Sequence, residues 1–181
     1  VAGSAEILFL EGYLYDKPKG MQAFERAVEL CHKAGGKAGI ALSDPFCVDR
    51  HRPEFRRLVK SLDYVIGNEH EWASLYQTDL SAALEQAAQD SGLVVCTRSG
   101  HDVIVVRGEE QAVVPVRRVV PVDATGAGDQ FAAGFLYGLA TGQPLATAGR
   151  MGCVAAAEVI SHFGARPETD LKALFRKEGL I

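Results

Sequence analysis

The chain has 181 residues, 48% hydrophobic and 23% charged, with a formal net charge of −4. This is an ordinary globular composition, long enough for one core, and its mild acidity gives no reason to expect a nucleic-acid partner. No apolar run approaches the ~18 residues of a membrane helix and no signal peptide opens the chain, so no membrane partner is expected. Four cysteines (Cys31, Cys47, Cys96, Cys153) lie far apart without a C-x-x-C pair, which points to a reducing, cytoplasmic setting. The five histidines are equally scattered, so no dedicated transition-metal site is expected. Residue 1 is Val and the only methionines are Met21 and Met151, so the chain reads as a piece of a longer product.

Residues 6–12 form a short apolar run that predicts a buried strand. Pro18 to Ala34 carries apolar residues at Met21, Phe24, Ala27, Val28 and Cys31, the spacing of an amphipathic helix closed by Gly35-Gly36. Residues 37–43 predict a second strand, stopped by Asp44-Pro45, and a helix follows from Pro53 to Lys60. Residues 63–67 predict a third strand running into Asn68-Glu69-His70-Glu71 and a helix. Residues 80–89 are helical in pattern, and residues 93–97 predict a fourth strand. Residues 102–107 and 111–115 read as a hairpin around Gly108. After residue 122 come a turn of small residues, a helix to Thr141, a long helix from Pro144 to about Phe163, and a terminal helix from Asp170 to Lys177. Strands alternating with helices at this spacing predict an α/β fold: a mainly parallel sheet with helices on both faces, forming one domain or part of one over residues 1–181.

The stretch Val119-Val-Pro-Val-Asp123-Ala-Thr125-Gly126-Ala127-Gly128-Asp129 carries the most chemistry. Gly126 and Gly128 can take backbone angles closed to other residues, so that consecutive N–H groups point into one small volume. The helix behind them adds orphan N–H groups and the positive end of its dipole, which makes an anion site suited to a transferring phosphoryl group. Asp129 at its mouth is placed to accept a proton from a hydroxyl. A tight turn followed by a helix that Asp129 caps has the same spacing. No G-x-x-x-x-G-K-[ST] occurs, and Phe131 stands where a dinucleotide fingerprint needs Gly or Ala.

Two further strand ends carry polar groups. Asn68 and Glu71 are three apart at a helix start, where they share one face and can organise Mg²⁺ directly or through water, or can act as a capping pair. Thr97 and Ser99 follow the fourth strand, as nucleotide-facing or simply turn hydroxyls. The segment Ala148 to Glu158 is a helix of small residues suited to close packing. The run Arg50-His-Arg-Pro-Glu-Phe-Arg-Arg57 reads as a solvated helix face, and Trp72 with Tyr76 as core packing.

Asp123-Ala-Thr-Gly-Ala-Gly-Asp129-Gln-Phe-Ala-Ala-Gly-Phe resembles the C-terminal signature of the ribokinase-like (PfkB-type) sugar and nucleoside kinases. The resemblance implies that Asp129 is the catalytic base and that Gly126, Ala127 and Gly128 form the anion hole. It gives Asn68 and Glu71 a role on Mg²⁺ and phosphate, and makes Thr97, Ser99 and Gly100 part of an ATP loop. Here His101-Asp102 stand where the family has a further Gly. It places Cys153 and Ala157 beside the adenine. Asp123, Thr125, Val159 and Gly164 map onto a monovalent-cation site, with K⁺ as the candidate ion and Glu168 where a Ser is often found. Gly12-Tyr13-Leu14 is similar to the adenosine-kinase-like branch.

The resemblance thus implies an ATP- and Mg²⁺-dependent phosphotransferase acting on an alcohol of a small sugar or nucleoside, with a homodimer as a candidate assembly. It covers the C-terminal half of a family member. The N-terminal half would carry the first strands, the glycine-rich substrate loop and the small β lid, the parts that choose the acceptor. Two other readings stand beside it. One is a nucleotide-binding module without transferase activity. The other is an S-adenosylmethionine-dependent methyltransferase, although its loop normally follows the first strand of a domain and here follows four or five.

Overall fold

The computed structural model describes all 181 residues, in the expected alternation of strands and helices. Six strands lie in one mainly parallel sheet in chain order, and the residues group into two compact units.

The first unit comprises residues 1–99 and 106–111. Its elements are β1 (Ile7–Glu11), α1 (Gly20–Lys33), β2 (Lys37–Ala41), α2 (Pro45–Arg50), α3 (Arg52–Leu58), β3 (Tyr64–Asn68), α4 (Glu69–Tyr76), α5 (Leu80–Asp90) and β4 (Val94–Arg98). Strands β1 to β4 are parallel neighbours, in a register that sets Glu11 opposite Ala41 and Asn68 opposite Thr97. The middle strands are buried almost end to end, as parallel strands covered on both faces must be. Helix α1 buries Phe24, Val28 and Cys31 along one stripe, and Gly35 ends it with φ +79°.

Gly39 has a structural reason to be glycine. A Cβ there would sit 2.3 Å from the ring of Tyr64, which lies across β2 and donates its hydroxyl to the carbonyl of Leu8 at 2.7 Å. Trp72 is fully buried beside Tyr76. The basic run is less of a free face than its composition suggests. Arg50 forks onto Asp16, and Arg56 stacks 3.8 Å over the Tyr76 ring while pairing with Asp90.

The second unit comprises residues 100–105 and 112–181. Strands β5 (His101–Arg107) and β6 (Glu110–Val114) form the hairpin around Gly108 (φ +56°), whose tip, residues 106–111, groups with the first unit. Helices α6 (Ala127–Ala140), α7 (Leu145–Val159) and α8 (Leu171–Lys177) follow. α6 and α7 pack backbone to backbone through their small residues. A Cβ on Gly134 would meet the Met151 carbonyl oxygen at 2.6 Å, and one on Gly138 would meet the Cα of Ala148 at 2.7 Å. Phe175 and Leu180 close the far side against Met151, Val154 and Ala155.

Two local expectations change. Asp44-Pro45 does more than stop β2: Asp44 accepts the amide of Cys47 at 2.7 Å and, with Pro45 in the first turn, starts the short helix α2. Helix α7 ends at Val159, four residues before Phe163, because the chain turns there into a loop held by Glu158. Ahead of the turn, Val120 is 86% exposed.

Candidate active site

In the first unit, parallel pairing brings Asn68 and Thr97 side by side at the carboxyl ends of β3 and β4, the edge where open α/β sheets bind ligands. Asn68 caps α4, its Oδ1 accepting the amides of His70 at 2.9 Å and Glu71 at 3.0 Å. Glu71 answers by accepting the Asn68 backbone amide on Oε2 at 2.7 Å and the side-chain amide on Oε1 at 2.6 Å. The capping pair is therefore formed in full. Glu71 is only 4% exposed, and burial, with Asp44 and Glu11 adding repulsion, pushes its carboxyl up to about 7 against the pull of the Asn68 amide. Gly67 lets this carboxylate approach, since a Cβ there would lie 3.1 Å from Glu71 Oε2.

In the second unit, Gly126 stands at the N-cap of α6 with φ +80°, and no side chain caps the helix. Ala127 donates to the carbonyl of Ala124 at 3.2 Å and Gln130 to that of Gly126 at 2.9 Å. The amides of Gly128 and Asp129 between them have no carbonyl within the helix to reach. Gly128 is not in the left-handed region, and a Cβ there would have open space around it. The glycines thus divide the work: Gly126 makes the turn and Gly128 keeps the cradle open. Asp129 lies exposed in the first turn, with no hydrogen bond or ion pair on its carboxylate. Asp129 is therefore not the helix cap.

A profile of the pfkB family of carbohydrate kinases matches residues 2–171. The chain belongs to that family. Among solved structures, this family member is similar to a probable sugar kinase protein from Rhizobium etli, with 40% identity and TM-score 0.97 over 100% of this chain and 56% of that one. It is also similar to an adenosine kinase from Sinorhizobium meliloti, with 38% identity and TM-score 0.95 over 98% of this chain and 55% of that one. Among curated proteins, a cytidine kinase from Thermococcus kodakarensis is 34% identical over 77% of this chain and 53% of its own length. The chain spans about half the length of the curated relatives it matches. Membership of a kinase family leaves the methyltransferase reading without support.

The remaining residues of this pfkB chain fall as follows. Thr97 is half-buried one residue before the end of β4, while Ser99 (φ +50°) and Gly100 make the two-residue turn into β5. Cys153 and Ala157 are buried on α7, and desolvation raises the Cys153 thiol to about 11. Val159 is fully buried. Asp123 uses both oxygens on amides, that of Thr125 at 2.9 Å and that of Gly164 at 3.0 Å. The Gly164 amide, followed by Thr125, holds its carboxyl down at about 2.

The residues fit an anionic phosphoryl group on one observation of this chain, the two unpaired amides over an open glycine. Sequence reasoning missed Ala165, whose Cβ would lie 2.9 Å from one on Gly126, and Glu158, which organises the loop carrying Ala165. The available signal was the four-residue spacing of Glu158 and His162 at a helix end.

Proposed function

We propose that these residues form the nucleotide-binding and catalytic part of one ribokinase-like domain that phosphorylates a hydroxyl of a sugar or nucleoside from ATP. What carries the reading is the free carboxylate of Asp129 in the first turn of α6, beside the unpaired amides of Gly128 and Asp129. Asp129 accepts the proton of the acceptor hydroxyl as its oxygen attacks, and the turn Gly126-Ala127-Gly128 stabilises the charge that spreads over the transferring group.

ATP with Mg²⁺ supplies the phosphoryl group and neutralises part of its charge. Asn68 and Glu71 are the residues that would orient the metal, and Thr97, Ser99 and Gly100 those that would meet the nucleotide phosphates. Cys153 and Ala157 are assigned to the adenine side. Asp123, Thr125, Val159 and Gly164 are assigned to a monovalent cation, K⁺ in the first instance. The relatives include sugar, adenosine and cytidine kinases, so the acceptor class is kept as a sugar or a nucleoside.

The test is Asp129→Asn in the complete protein, assayed for acceptor-dependent ADP formation over a panel of nucleosides and sugars. kcat should fall about 10²–10⁴-fold, with a much smaller change in KM for ATP. A kcat within a few-fold of the parent removes Asp129 from the chemistry. ATP binding with no acceptor-dependent turnover in the parent protein would instead favour a nucleotide-binding module.

A further inference from the structure

Glu158 occupies the last turn of α7, with its side chain 7% exposed and no Lys or Arg paired to it. Burying a carboxylate is expensive unless its lone pairs are used. Here Oε1 accepts two backbone amides from the loop beyond the helix, Glu168 at 2.9 Å and Thr169 at 2.8 Å. Oε2 faces Nε2 of His162 at 3.5 Å, and both atoms are closed to solvent without a hydrogen-bond partner. His162 reaches the carbonyl of Phe163 and the carboxylate of Glu168 with its other ring nitrogen, at 3.3 and 3.8 Å. Glu158 thus holds the far end of the loop 163–169 by two amides, while His162, just before the loop, lies against its second oxygen.

That loop in turn holds the turn before α6. Gly164, at φ +96°, donates its amide to Oδ2 of Asp123, whose Oδ1 takes the amide of Thr125. Ala165 lies against Gly126, and the amide of Val122 donates to the carbonyl of Ile160 at 2.8 Å. One short loop therefore carries both sets of contacts: its far end is held by Glu158, and its near end, at Gly164 and Ala165, touches Asp123 and the turn that leads to Asp129.

We infer that Glu158, with His162 against it, is a positioning residue for the Asp123–Asp129 turn, acting through loop 163–169 and Asp123 without touching a reactant. Its consequence for catalysis rests on the proposed role of that turn in phosphoryl transfer. Its consequence for the shape of the turn does not.

Two measurements separate this from a general stabilising role. In the parent protein, the amides of Thr125, Gly164, Glu168 and Thr169 should show hydrogen-exchange protection within about tenfold of one another, since one strap holds all four. In Glu158→Leu, exchange at Thr125 and Gly164 should quicken about tenfold or more, with β1 to β4 unchanged. Glu158→Gln keeps an oxygen for the two loop amides and should restore slow exchange. In the complete protein the Leu variant should lose about tenfold or more in kcat with KM for ATP held within about twofold, and the Gln variant should recover most of it.

Unchanged exchange at Thr125 and Gly164 in the Leu variant would overturn the proposal, as would uniform acceleration across the whole chain. Should the Leu variant not fold, widely different protection of the four amides in the parent protein overturns it alone. If the exchange results hold while kcat is insensitive, Glu158 still shapes the turn, and the catalytic reading of the turn is what fails.

Discussion

The carboxylate of Glu71 receives the backbone amide of Asn68 on one oxygen and its side-chain amide on the other, at 2.7 and 2.6 Å. This closes the start of α4 on itself inside a region where Asp44 and Glu11 add negative charge. A capping box usually lies at the surface. Here its acid is buried, and that changes its proton affinity.

Burial holds the Glu71 carboxyl at about 7 in the folded state, above the ordinary 4.5 of a glutamate. Between these values the native state binds the proton that the unfolded state has lost, so stability falls as pH rises. The contribution is complete below about pH 4.5 and lost above about 7, on the order of 3 kcal/mol. A ¹³C carboxyl titration should place the Glu71 midpoint near 7. A midpoint near 4.5 would mean that the Asn68 amides outweigh burial.

Gly126 and Gly128 should respond differently to alanine. At Gly126 the φ of +80° and a Cβ position 2.9 Å from that of Ala165 predict a loss of about 1–3 kcal/mol. At Gly128, where a Cβ meets nothing within 4 Å, the change in stability should stay below about 0.5 kcal/mol. Gly128→Val should then fill the cradle, abolishing phosphoryl transfer while the fold persists. Urea denaturation of both alanine variants checks the first pair, and equal losses would contradict the division of roles.

Gly134→Ala places a methyl 2.6 Å from the Met151 carbonyl, a backbone atom that cannot swing aside. Overpacking at such a helix contact should destabilise by about 1–3 kcal/mol. Thermal unfolding measures it, and a neutral result would mean that α6 and α7 can separate without loss.

Trp72 donates Nε1–H to the buried carbonyl of Val95 at 3.1 Å. Trp72→Phe keeps an aromatic ring and removes the donor, so about 1–3 kcal/mol of stability should be lost. Chemical denaturation should show that loss, and an unchanged midpoint would mean that the indole hydrogen bond contributes nothing.

Much of the architecture was legible in local pattern. The stripe of Phe24, Val28 and Cys31, the apolar runs of β2 to β4 and the Gly108 hairpin depend on periodicity and turn chemistry within a dozen residues. The boundaries were less legible. Composition alone carries the α7 helix on to Phe163, whereas the stop at Val159 comes with bonds that Glu158 makes to residues ten and eleven positions on.

The sequence by itself determined the alternating fold, the small-residue turn, and the placing of Asp129 just inside a helix, because a short motif carries its own backbone chemistry. Tertiary structure alone decided that Gly126 rather than Gly128 adopts the left-handed angle, since Ala165 from another loop sets the space beside it. It decided that Asp129 is free while Asp123, six residues earlier, is bound by an amide 41 positions away. It also raised Glu71 by burying it, whereas the same capping pair on an exposed helix would keep an ordinary carboxylate. Desolvation and long-range hydrogen bonds depend on which distant segments meet, and one-dimensional spacing carries no record of that.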